Sequence, residues 1–329
     1  MNKKFLFCLV FLLFSAFECY CSGESATDVS NAENKSKKVI FVSILPQKYL
    51  VDRIVEDKFN VEVMVGPGQS MHTFDPVPRQ LTLLSKADAY FMAGIPFEKN
   101  LVAKLKSIFN IKFFDSRKGI KFLKNEFGHI CDSHGHMTDP EHENEHADNQ
   151  KTPVETSDSL VSKTGHADPV DSADPHYWLD PANAKMISLN VTESLSASFP
   201  EFAESFRKNF EILSSELDKL DTEIAAKLLP VKGKSFFVFH PAYGYFAAKY
   251  QMNQIPVEFE GKEPSPRQLT DIIRKAKAEK ATTIFVQPQF SPRAANTIAD
   301  TIGASITEID PLAYNYFDNM KIIAEKLSK

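Results

Sequence analysis

Cysteine is scarce in this chain. There are four, and three of them, Cys8, Cys19 and Cys21, fall within the first 21 positions. Without that leader Cys131 stands alone, so no intramolecular disulfide can form. Tryptophan is scarcer still, one residue against 27 phenylalanines, which points to a Phe-built core. Positive charge is not in excess: 38 Lys and Arg face 43 Asp and Glu, for a formal charge of −5. That balance excludes the basic face expected of a nucleic-acid binder. No apolar run approaches the ~20 residues that span a bilayer.

The sequence that remains is ordinary for a globular protein, 43% hydrophobic and 25% charged over 329 residues. At ~150 residues per domain this suggests roughly two domains. Lys3 and Lys4 precede an uninterrupted apolar run from Phe5 to Phe14. A charged start and a short apolar run read as a signal peptide over residues 1–21, with an exported mature protein of formal charge −6. Glu18 and Tyr20 stand before Cys19 and Cys21, where a lipid-attachment motif wants a small residue. The expected location is therefore the periplasm, without a lipid anchor.

The mature chain alternates strand and helix signals. KVIFVSIL (38–45) reads as a buried strand stopped by Pro46. Strands over 61–65, 88–93 and 111–114 follow, with helices between them. The same rhythm restarts at SFFVF (235–239) and runs through strands at 255–259, 282–287 and 305–309. Such alternation predicts an α/β fold of two βα lobes with mainly parallel sheets. Between the halves, 201–229 runs without Pro or Gly, and Phe202, Phe206, Phe210, Leu213, Leu217 and Leu220 recur at helical spacing. A helix there would be about 40 Å long at ~1.5 Å per residue, enough to brace both lobes. The expected organisation is an N-terminal lobe at 38–199, a linking helix at 200–229 and a C-terminal lobe at 230–329.

The nine histidines form two populations. Six of them, at 129, 134, 136, 142, 146 and 166, share an acid-rich and apolar-poor tract with Cys131. That composition predicts a disordered surface loop over 129–166 with auxiliary metal affinity. The other three are His72, in VGPGQSMHTFDP after a strand, His176, in the turn DPHYWLDP before a helix, and His240, at the end of SFFVFH. Singly, each reads more readily as a structural histidine than as a ligand. In open α/β sheets, however, ligands gather beyond the carboxyl ends of strands. Three neutral imidazoles suit Zn²⁺ with a fourth position open. Separations of 104 and 64 residues are too long for a zinc finger and fit a site assembled between lobes.

GPGQSMHTFDP, DPHYWLDP, FVFHPAYGYFA and FVQPQFSP, together with the acidic His-rich insertion, carry a resemblance across residues 38–329. The chain resembles the metal-binding subunits of bacterial ABC importers for zinc and manganese, most of all the periplasmic zinc-binding members. The resemblance implies two lobes joined by one long helix, a metal in the cleft, and His72, His176 and His240 as its ligands. It implies zinc as cargo and a membrane permease of a zinc ABC transporter as partner. It implies no nucleic acid, a monomer and no enzymatic activity. Manganese members replace the third histidine by Glu and add an Asp near the position where this chain reads Gln287-Pro288-Gln289, so His240 favours zinc. Some zinc members carry Glu where this chain has Met71 and Gln287. The fourth ligand is thus left open among water, Asp75 and a loop residue.

Three alternatives remain: a manganese-binding homologue, a metal-dependent adhesin and a secreted zinc hydrolase. The hydrolase would need a base, for which Glu258, Glu260 and Glu263 qualify only by sequence proximity to a strand end.

Overall fold

The computed structural model describes residues 37–124, 173–258 and 262–329. The expected leader and the 129–166 tract, with Cys131 and six histidines, lie outside the described residues, as does Glu260.

The N-terminal half runs β1 (Lys38–Val42), α1 (Leu45–Val55), β2 (Phe59–Val63), α2 (Pro78–Leu84), β3 (Ala89–Met92), α3 (Pro96–Ile108) and β4 (Lys112–Asp115). Two helices follow, α4 (Pro181–Ser198) and α5 (Ala203–Leu228). The C-terminal half runs β5 (Ser235–Val238), α6 (Gly244–Tyr250), β6 (Asn253–Pro256), α7 (Pro266–Ala278), β7 (Thr283–Val286), α8 (Arg293–Ile302), β8 (Ser305–Glu308) and α9 (Tyr316–Leu327). Each half forms one four-stranded sheet, ordered β2-β1-β3-β4 and β6-β5-β7-β8, with every pair parallel. The α/β expectation therefore holds. No helix among the described residues is long and apolar enough to cross a membrane.

The strands are shorter than the apolar runs that announce them. In KVIFVSIL the ladder ends at Val42, Ile44 caps α1, and Leu45 and Pro46 already belong to the helix. Proline's fixed φ suits a first helical turn, where its missing N–H costs nothing. Helices α2, α3, α4 and α7 likewise carry proline in the first turn. The long helical stretch opens with a 3₁₀ turn at Pro200–Phe202 and closes with another at Leu229–Val231. Between them α5 has 26 residues, about 39 Å at ~1.5 Å per residue.

The core forms three apolar layers. One lies on the outer face of the first sheet under α2 and α3, built on Phe41, Leu84, Tyr90 and Leu105. Another lies outside the second sheet under α7 and α8, built on Phe237, Ile272, Ile284 and Ile298. The largest is shared by both halves and contains residues of α1, α4, α5, α6 and α9. Helix α5 buries Phe206, Leu213, Leu217, Leu220 and Ile224 there, at the helical spacing read from the sequence. It packs on α1 and α4 and also on α9, which returns from the end of the second half. The described residues accordingly form one compact unit.

Candidate metal centre

The chain ends its strands with a common edge at which three turns meet. His72 sits in the turn between β2 and α2. Its neighbour Met71 is 1% exposed and belongs to the shared core, so the loop is pinned by an apolar side chain beside the imidazole. Gly68 in the same turn has φ of 72°, a left-handed conformation that glycine adopts without steric cost.

His176 lies in a segment stitched to both halves. The Tyr177 hydroxyl donates to the Ala93 carbonyl at 2.8 Å, just past β3. The Trp178 indole donates to the Pro311 carbonyl at 2.8 Å, past β8. The Trp178 carbonyl accepts the Tyr316 hydroxyl at 2.7 Å. Asp174 closes the turn locally: one carboxylate oxygen faces both the backbone N–H and Nδ1 of His176, at 2.9 and 2.8 Å. Its other oxygen lies 2.5 Å from where a Cβ on Gly244 would sit, so a side chain at the start of α6 would push the Asp174 carboxylate from its place.

His240 stands two residues past β5. Gln287 grips its backbone twice, accepting the N–H at 3.1 Å and donating to the carbonyl at 2.7 Å. The ring stacks on Phe290, with centroids 4.5 Å apart and planes 21° apart. Its Nδ1 lies 2.6 Å from the buried carboxyl of Glu258.

The consequence is that three Nε2 atoms converge. His72 and His240 are 3.1 Å apart, His240 and His176 3.3 Å, and His72 and His176 3.4 Å. A tetrahedral zinc bound at ~2.0–2.1 Å sets its nitrogens about 3.3–3.4 Å apart. Three imidazoles in this arrangement match one face of that tetrahedron. The carboxylates fix the tautomers of two of them. With Asp174 and Glu258 facing Nδ1, the proton belongs on Nδ1 and the Nε2 lone pair points into the shared space. Burial pushes the Glu258 carboxyl up to about 7. A cation on Nε2 would make Nδ1–H a stronger donor and so favour the ionised carboxylate. His176 and His240 are 2% and 1% exposed and His72 is half-buried, so access to the space is on the His72 side.

The three histidines thus gather as one cluster, and no other His/Cys/Asp/Glu group suited to a metal occurs among the described residues. Asp75 is exposed and outside the cluster, which removes it from the fourth-ligand candidates. Met71 and Gln287, which stand where some zinc members carry Glu, serve as a core anchor and a backbone brace. Of the candidate bases, Glu258 is engaged with His240 and Glu263 is exposed. Asp174 and Glu258 as supporting groups escaped the sequence reading. The first was legible in Asp-Pro-His, a carboxylate two residues before an imidazole it can close a turn upon. The second required knowing that β6 lies beside β5.

The family described as "Zinc-uptake complex component A periplasmic" matches residues 40–329. The High-affinity zinc uptake system protein ZnuA of Brucella abortus (strain 2308) is 31% identical over 279 residues, 83% of each chain. A structure titled "Crystal structure of ZnuA" superposes with a TM-score of 0.73 at 32% identity, covering 89% of this chain and 98% of that one. Another, titled "Crystal structure of 138-173 ZnuA deletion mutant plus zinc bound", gives 0.72 at 32% identity, with 89% and 97% covered.

Proposed function

The chain belongs to the family of periplasmic zinc-uptake component A proteins, and from that premise we propose that it captures Zn²⁺ outside the cytoplasmic membrane on His72, His176 and His240 and delivers it to the permease of an ABC importer. The observation that carries the reading is the triangle of Nε2 atoms with edges of 3.1–3.4 Å. Three imidazole ligands without a carboxylate suit zinc better than manganese, which prefers carboxylate and carbonyl oxygen. Delivery needs a site that opens, and half-exposed His72 on a turn between strand and helix is the natural first ligand to let go. Hydrolysis would need a base over an open metal position, and the acid beside the site is held against His240 Nδ1. The chain is therefore read as a binding protein with no catalytic turnover, exported to the periplasm and working as a monomer.

Protein purified without an affinity tag and stripped with chelator tests this. Calorimetry should find one tight Zn²⁺ equivalent, with Mn²⁺ bound far more weakly. Equal affinities for the two ions, or release of product from ester or peptide substrates, would remove the reading.

A further inference from the structure

The space bounded by the three imidazoles is small, about 10 Å³, which is about the room one water-sized species needs. Its other lining includes Ser70, Phe290 and Gln289. Gln289 follows β7 and is held at one end only. Its Nε2 donates to Asp310 Oδ1 at 2.7 Å. Asp310 is itself fixed past β8, where the same oxygen accepts the Leu312 N–H at 2.9 Å. A carboxylate can only accept, so the amide's nitrogen must face Asp310, and the orientation of the group is determined. That leaves Gln289 Oε1 buried and without a hydrogen-bond partner. An unpaired buried carbonyl is costly to the fold, and the place of Gln289 among the residues lining the histidine space suggests what satisfies it.

Three imidazoles leave a zinc one open position. A water there donates two hydrogens, made more acidic by the metal, and needs an acceptor. Ser70 Oγ already takes the His72 N–H, at 3.3 Å. We propose that Gln289 is a specificity-determining residue of the site: held by Asp310, its Oε1 accepts a hydrogen bond from a water that completes the zinc's coordination. This inference rests on the three-histidine reading. A neutral amide oxygen is a weak zinc ligand but a good acceptor, so the metal keeps three nitrogens and a water. A carboxylate at the same position would bind the metal itself and move the site toward harder, oxygen-preferring ions.

The test compares full-length wild type with Gln289→Leu and Gln289→Glu, using Zn²⁺ and Mn²⁺ calorimetry and Co²⁺ absorption at fixed pH. Gln289→Leu should weaken zinc by ~10–100-fold, the range seen when a group supporting a ligand is lost. Its Co²⁺ spectrum should change while the metal-free protein melts within a few degrees of wild type. Gln289→Glu should restore zinc binding and raise Mn²⁺ affinity at least about tenfold, since the carboxylate replaces the water as an anionic oxygen ligand. Wild-type zinc affinity and an unchanged Co²⁺ spectrum in Gln289→Leu would overturn the proposal, as would a Gln289→Glu protein with no gain for Mn²⁺. His240→Ala separates the premise. If it retains tight zinc, the three-histidine site is wrong. If it loses zinc while Gln289→Leu keeps it, only the role of Gln289 fails.

Discussion

The two sheets follow one plan, yet their first strands end in opposite ways. Past β1, Ser43 turns its hydroxyl into a closed polar knot with Tyr90 and Glu98. The Glu98 carboxyl also takes the Tyr90 hydroxyl at 2.7 Å and the backbone N–H groups of Ala93 and Ile95 at 3.2 and 2.9 Å. Past β5, His240 stands one residue further on, and the buried Glu258 carboxyl holds one of its imidazole nitrogens while the other faces the cleft. Both carboxyls are pushed up by burial; at Glu98 the hydroxyl and amide donors oppose that push. The end of the first strand is thus used to lock a lobe in one case and to turn an imidazole nitrogen toward the cleft in the other. What separates them is whether the carboxyl's partners are spent on the fold or pass their polarity on to the cleft.

The sharpest way to break the comparison is to remove the presented nitrogen. His240→Ala should weaken zinc by orders of magnitude in calorimetry while circular dichroism stays native, because the fold does not depend on that ring. Loss of native structure would mean His240 is a lock like Ser43.

Acid should act on the two ends differently. Protons compete with zinc for imidazole nitrogens, and free histidine titrates near ~6.5. Apparent zinc affinity should therefore drop more than about tenfold per unit below about pH 6, with more than one proton taken up per zinc released. The carboxyls do not unfold the protein over that range. Their folded values lie above the unfolded ones, so the stability they contribute is complete below the ordinary carboxyl range and is lost only as pH rises through the folded value, about 7 for Glu258. Between pH 7 and 5 the site should empty with the fold intact. Affinity that stays flat across that interval would instead indicate a carboxylate-rich site.

Exchanging each carboxyl for its amide should divide the effects further. Glu258→Gln is expected to cost ~10–100-fold in zinc affinity with a modest change in melting temperature. Glu98→Gln should leave zinc affinity unchanged and cost about 1–3 kcal/mol of stability in denaturant unfolding, since an amide nitrogen would face donors that need an acceptor. A zinc defect in Glu98→Gln would show that the two ends are coupled. The smallest effect is expected from removing 125–172. The tight zinc equivalent should persist, because His72, His176 and His240 all lie outside that stretch, and any additional zinc carried by its histidines and acids should vanish.

The sequence made some of this visible and hid the rest for physical reasons. Strand and helix alternation follows from apolar periodicity, so both sheets could be read in KVIFVSIL and SFFVF. His72, His176 and His240 could be read because strand ends and proline turns place side chains at a sheet's carboxyl edge. Gln287 and Gln289 could not be weighed in the same way. Their roles depend on which atom of each side chain meets which partner, and that is settled by packing between residues tens of positions apart, such as Gln287 against the backbone of His240. The long helix was legible in its heptad-like Phe and Leu repeat, whereas its 3₁₀ ends at Pro200 and Pro230 depend on how prolines trim the final turns.

An isolated antiparallel bridge joins Lys124 to Ala173, and the Tyr245 hydroxyl ties the two sides of that seam together by accepting the Leu123 N–H and donating to the Asp174 carbonyl. The two ends of the intervening 48 residues are therefore already sewn shut by the body of the protein. An inserted segment joined at closely spaced ends costs only about 0.6 kcal/mol more in closure for each doubling of its length, so this seam can accept a shorter or longer passenger at little thermodynamic penalty. It lies one residue from Asp174, whose carboxylate sets the ring of His176. A reporter module spliced at this seam would sit next to the carboxylate that sets one of the three converging imidazoles, making it the place to build a sensor that reads occupancy of the cleft without touching it.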